Sequence, residues 1–160
     1  MTSPEKPTIS HITDWKAGSQ WIHKILRACV PDLIITPQVE VAHFLKSPIQ
    51  EGKVYPTVYV TKKQFDSVSL LPYWHLFIVI RDLRDTLISA YFSLKTSHSV
   101  IAPGILTLRE KLLSKSLEDG LLYLLDAWLP LCADIQRSWI KSNDTLIHYE
   151  DLLLNDLEIL

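Results

Sequence analysis

Short apolar runs alternate along this chain with amphipathic stretches, and polar or proline-bearing turns mark most changeovers. From Thr8 the positions alternate through Ile9 and His11, the two-residue period of a strand. Lys16-Ala17-Gly18-Ser19-Gln20-Trp21 follows, and then Trp21, Ile22, Ile25, Leu26 and Cys29 recur at helical spacing. That order predicts strand, tight loop, helix. Asp32 to Pro37 reads as a short strand stopped by proline, Val39 to Leu45 as a short helix and Lys46 to Lys53 as a loop. Thr57 to Thr61 is a β-branched and aromatic strand, followed by a loop from Lys62 to Pro72 with one helical turn. The unbroken apolar run Leu76 to Ile80 predicts a strand buried on both faces, as in parallel sheets.

Arg84 to Ser97 then reads as a helix and Ser99 to Thr107 as a loop crossing the cleft. The longest helical signal runs from Leu117 to Ser142, with Pro130 inside it, where a lost N–H predicts a kink or a break. Thr145 to Tyr149 is a last strand, and Glu150 starts a final helix. No repeat or linker divides the chain, so residues 1–160 are expected to form one domain. Strands alternating with helices predict an α/β fold with a mostly parallel central sheet. Ligands in such sheets bind beyond the carboxyl ends of the strands. Lys16, Lys62, Arg81 and Tyr149 all fall there.

The chemistry suggested by these positions is anion binding. A tight loop running into a helix leaves the first helical N–H groups unpaired and convergent, and Lys16 adds a full charge. The common nucleotide-binding spelling places lysine directly after glycine and before Ser or Thr. Lys16 instead precedes Gly18 by two residues, which disfavours an NTPase or kinase. At the second strand end, Arg81 offers a planar fork of donors, and Ser89 lies about two turns into the next helix. Both can meet on one phosphate.

Three segments together resemble the sulfotransferases that use 3′-phosphoadenosine 5′-phosphosulfate (PAPS). Lys16 to Trp21 matches K-[SA]-G-[ST]-x-W; Arg81, Asp82, Asp85 and Ser89 match R-D-x-x-D-x-x-x-S; Tyr149-Glu150-Asp151-Leu152 matches the later Tyr-Glu-Asp-Leu segment. The resemblance implies a three-layer, P-loop-like fold with helices flanking the sheet. It implies transfer of a sulfuryl group from PAPS to a hydroxyl or amine on a small-molecule acceptor; the six histidines form no metal-ligand cluster, so no metal is expected. Lys16 would contact the 5′-phosphate and the oxygen bridging to sulfur, where charge develops as that bond breaks. Ala17, Gly18, Ser19 and Gln20 would cradle the phosphate and Trp21 stack on adenine or pack in the core. Arg81 and Ser89 would clamp the 3′-phosphate, with Tyr149 near adenine. Asp82, Asp85, Glu150 and Asp151 read as caps.

Two features depart from that pattern. Many relatives carry a Lys-Thr-His triplet whose histidine deprotonates the acceptor, and here Lys62 occupies that position after Val60-Thr61. Lys62 acts as a base only if its pKa is lowered; otherwise it neutralises phosphate charge. Glu40, His43, His75 and His98 are the substitutes. The chain also stops at Leu160, whereas relatives continue to a basic, glycine-containing closing element. It is therefore expected to be a fragment, a truncated gene product or a minimal form, with Leu152, Leu153, Leu157 and Leu160 under-covered and prone to self-association. The alternative to an enzyme is a non-catalytic relative that binds PAPS or its desulfated product PAP.

Composition adds limits. Hydrophobic residues make up 48% of the chain and the formal charge is −2, which offers no basic field for nucleic acid. Cys29 and Cys132 sit on apolar helix faces and are expected to be buried free thiols, as in a reducing cytoplasm. The polar N-terminus is no signal peptide, and the most apolar window, Leu121 to Ala133, contains Asp126 and Pro130 and is too short to span a membrane.

Overall fold

The computed structural model describes residues 6–37, 43–70, 72–99 and 103–159, with the backbone alone for 43, 103 and 156–159. β1 (Thr8–Thr13) runs through the centre of a parallel sheet with β2 (Val54–Val58), β3 (Trp74–Ile80) and β4 (Thr145–His148), in the order β2-β1-β3-β4. The helices are α1 (Ser19–Cys29), α2 (His43–Lys46), α3 (Lys62–Asp66), α4 (Leu83–Phe92), α5 (Pro103–Leu113), α6 (Leu117–Ala127), α7 (Leu129–Ile140) and α8 (Tyr149–Ile159).

The alternation of β3 builds the layers. Ile78 and Ile80 join Ile12, Phe65, Ile135 and Trp139 in a buried cluster between the sheet, α3 and α7. Val79 points the other way, into a cluster with Ile22 of α1 and Leu152 of α8. A further cluster under α4, α5 and α6 contains Tyr91, Leu94, Leu112 and Leu124. The expected three-layer α/β architecture is present, and every strand pairing among the described residues is parallel.

Several boundaries differ from the sequence reading for identifiable reasons. The second strand is Val54–Val58 rather than Thr57 to Thr61. Pro56 lies inside β2, which is an edge strand, where a missing N–H is tolerated. A bulge opposite His11 accommodates it, since Ser10 pairs with Tyr55 and Ile12 with Val58. The His11 ring lies 2.6 Å, through Nδ1, from the Pro56 carbonyl oxygen and stacks on Phe77.

The strand expected at Asp32 to Pro37 is reduced to a 3-10 turn, Pro31–Leu33, and one bridge from Ile34 to Val54. Pro56 has no N–H to carry that ladder further. Pro103 starts α5, so most of the expected Ser99 to Thr107 loop is helical; proline suits a first helical turn. The break expected at Pro130 is present: α6 ends at Ala127, and Pro130 sits in the first turn of α7, which begins at Leu129. Cys132 is buried, but Cys29 is exposed, because Ser19 and Ile22 alone are buried on α1 and its last turn lies clear of the sheet. Leu152 is buried, Leu153 and Leu154 are exposed, and the side chains of Leu157 and Leu160 lie outside the described residues.

Trp139 fills the α7 side of the core and donates its indole N–H to the Val60 carbonyl at 2.8 Å. Trp139→Phe removes buried volume and leaves that carbonyl without a donor. Urea denaturation should show a loss of about 2–3 kcal/mol. No loss would mean that the tryptophan is not anchored as described.

Candidate functional site

β1 hands the chain to α1 through Asp14 to Gly18. The Thr13 hydroxyl, buried at the end of β1, lies within hydrogen-bond reach of the Val79 carbonyl at 3.1 Å and ties this exit to β3. Lys16 has φ 71° and Gly18 φ 80°. A left-handed backbone costs a residue with a Cβ about 1–2 kcal/mol, and strain kept at a lysine points to a demand on its position. A Cβ on Gly18 would fall 2.5 Å from Tyr149 Cε2, so Tyr149 closes tightly on the loop. Helix α1 has no side-chain cap and no acidic residue in its first turn. Among the described residues the N–H groups of Ser19 and Gln20 carry no partner. Such a helix end favours an anion.

β3 delivers Arg81 to the same place. Its Nη1 donates to the Lys16 carbonyl at 2.9 Å, and its guanidinium carbon lies 4.7 Å from the Tyr149 ring centroid. Arg81 Nε is buried without a partner among the described residues. Burial, then the Arg81 charge, holds the Lys16 ammonium below the usual lysine pKa. Among the described residues neither cation forms an ion pair. Two adjacent cations, neither in an ion pair among the described residues, suit a multiply charged anion.

Lys16, Gly18, Ser19, Gln20, Arg81, Ser89 and Tyr149 line one cleft of about 640 Å³. Ala17 is buried beneath it, and Trp21 stands edge-on to Tyr149 at 6.4 Å, in the apolar layer behind. A second cavity of about 380 Å³ adjoins, walled by Trp15, Leu94, Ile105, Leu108 and Trp128. Lys62 lines neither cavity. It pairs with Asp66 on α3, and its ammonium stands 5.4 Å from the Trp139 ring centroid. His75 is exposed at the opposite end of β3, while Glu40 and the His43 side chain lie outside the described residues. His98 lines both cavities.

The protein resembles in fold the mouse sulfotransferase SULT7A1, whose structure is complexed with PAP, with a TM-score of 0.57 at 14% identity. The chain has the sulfotransferase fold. The match covers 94% of this chain and 55% of that one, so the chain spans about half the length of this relative. No protein-family model matches the sequence, and no curated protein is significantly similar to it. Among the described residues no cluster of three His, Cys, Asp or Glu groups could hold a metal, and no helix is long and apolar enough to cross a membrane.

Sequence reasoning passed over Gln136, Ser93 and Ser97, which also shape the cleft; it named Ser89, and the caps Asp82 and Glu150. Gln136 of α7 donates through Nε2 to Asp14 at 3.1 Å and to the Arg81 carbonyl at 2.8 Å, clamping the ends of β1 and β3. Its signal is a lone amide on a helix face that also buries Cys132, Ile135 and Trp139. Ser89, Ser93 and Ser97, spaced by four, set a row of hydroxyls along one wall. Asp82 caps α4, and Glu150 accepts the Asp82 N–H at 3.0 Å.

Asp14 is fully buried, which raises its carboxyl from 3.8 to about 7 although the Gln136 bond and Arg81 pull it down. The unfolded chain ionises this group at its ordinary pKa, so its contribution to stability falls as pH rises from 3.8 to about 7 and stays lost above. Asparagine accepts the same Gln136 bond without ionising. Asp14→Asn should therefore be more stable than the parent near pH 8, by up to about 4 kcal/mol, with the gap closing toward pH 4. Thermal melts across that range check it; a constant gap would contradict the burial of a titrating carboxyl.

Proposed function

We propose that the chain is a sulfotransferase that moves a sulfuryl group from PAPS to a hydroxyl or amine on a small acceptor. The observation that carries this reading is the pair Lys16 and Arg81, without an ion pair among the described residues and joined through the Lys16 carbonyl ahead of α1. The buried, unpartnered Arg81 Nε and the free helix N–H groups fit a phosphate-bearing ligand. In this reading Lys16 neutralises charge on the leaving phosphate, and Ala17 to Gln20 supply the loop around it. Arg81 and Ser89 take the 3′-phosphate, and Tyr149, backed by Trp21, faces adenine. Action in the cytoplasm belongs to the same reading.

A second reading, PAPS or PAP binding without transfer, is favoured by one observation. Lys62, in the position of the usual base, is held away from the cleft by Asp66.

Calorimetric titration with PAP, adenosine 5′-phosphate and ATP tests the nucleotide assignment. Arg81→Ala should weaken PAP binding by about 2–4 kcal/mol, the scale of one lost partner in a charged contact. The same variant should bind adenosine 5′-phosphate as the parent does. Equal losses for both would take the 3′-phosphate away from Arg81.

Lys16→Gly separates function from folding. It relieves the left-handed backbone, so the melting point should hold or rise, while PAP affinity should fall by about tenfold or more. Unchanged affinity would remove Lys16 from the site.

A further inference from the structure

The polar cleft and the apolar cavity share Trp15, Lys16, Gln20, Tyr59, Ser93 and His98, and this seam is where a nucleotide and an acceptor would meet. Among these, Lys16, Tyr59 and His98 titrate. Lys16 is the cation beside Arg81, and its charge is what the leaving phosphate needs. The Tyr59 hydroxyl donates to Ser19 Oγ at 3.2 Å, and burial raises its pKa, so it stays protonated. His98 remains.

Resting on the sulfotransferase reading, we propose that His98 is the general base, its ring taking the proton from an acceptor hydroxyl seated in the apolar cavity. Its placement is built from both sides. Ser93–Ser97 forms a π turn after α4, closed by the His98 N–H donating to the Ser93 carbonyl at 2.7 Å, and such turns re-aim the residues that follow. Arg109 of α5 donates to the Leu94 carbonyl at 2.8 Å and also to the His98 carbonyl, fixing the backbone. Nδ1 faces the Ser93 hydroxyl at 3.5 Å, which leaves Nε2 for the acceptor.

The charged groups facing His98 among the described residues are Lys16, from the β1–α1 loop, and Arg109, from α5. Burial and then these two cations lower its pKa, so the ring is neutral and basic near pH 7. In the step, the Nε2 lone pair takes the hydroxyl proton and the acceptor oxygen forms its bond to sulfur. The bond from sulfur to the bridging oxygen breaks, and its electron pair leaves on the 5′-phosphate of PAP. The imidazolium then returns its proton to water.

The test uses the whole chain, PAPS and two phenols: 2-naphthol, which is neutral at working pH, and 4-nitrophenol, which is largely ionised at about pH 8. His98→Gln should lower kcat on 2-naphthol by about 100-fold or more and remove the acidic limb of its pH profile. The loss on 4-nitrophenol should be much smaller, because little proton remains to be taken, and PAP affinity should change far less than kcat. Equal losses on both phenols, or none on 2-naphthol, would overturn the assignment while leaving the sulfotransferase reading intact. A parent chain that binds PAP yet sulfates neither phenol would also overturn it and favour binding without transfer. A parent that binds no PAP would overturn the sulfotransferase reading itself.

Discussion

Two cations held side by side, neither in an ion pair among the described residues, are the constraint around which this molecule is arranged. Like charges at close range repel, and half-burial makes each cation less favourable still. The structure nevertheless binds Arg81 to the carbonyl of Lys16, and keeps Lys16 in a left-handed backbone to do so. The supporting groups all act on that arrangement. Gln136 fixes both strand ends, Tyr149 lies against the guanidinium and the Gly18 loop, and Glu150 holds the backbone just past Arg81. In the proposed function an anion relieves the repulsion and sits at the N–H groups of Ser19 and Gln20, which have no partner among the described residues.

The sheet explains why this meeting occurs. β1 and β3 are adjacent and parallel, paired from Thr8 with Trp74 to Thr13 with Val79, so their carboxyl ends leave the sheet together. The loops that follow must then converge. Helix α8 begins directly at Tyr149, one residue past β4, which places its ring against both loops. The cleft thus follows from strand order and register, and the apolar cavity beside it from the packing of α4, α5 and α6.

The legible parts were those written in local sequence. Leu76 to Ile80 is an unbroken apolar run and became the inner strand; Lys16 to Trp21 carries its turn and its helix start within six residues. Edges were harder, because proline has opposite meanings by position. Pro56 is tolerated on an outer strand, and Pro103 opens a helix rather than lying in a loop, whereas the break expected at Pro130 is present. The groups that complete the cleft were illegible for a different reason. Gln136 reaches Asp14 across 122 positions of sequence; His98 is among the four substitute bases, and what the sequence hides is the π turn that brings it, rather than His75, to Lys16. Lys62 shows the converse: a threonine-aligned position suggested the cleft, and a local pairing with Asp66 holds the side chain elsewhere.

Under the proposed function, Lys16 waits, partly desolvated beside Arg81, for a phosphate-bearing nucleotide. The most direct measurement is the pKa of the Lys16 ammonium, followed by NMR through its ε-carbon in the protein alone and in the presence of PAP. The account predicts a value below that of a free lysine in the protein alone, rising when PAP is added as negative charge arrives. An ordinary lysine value that does not move with PAP would contradict it.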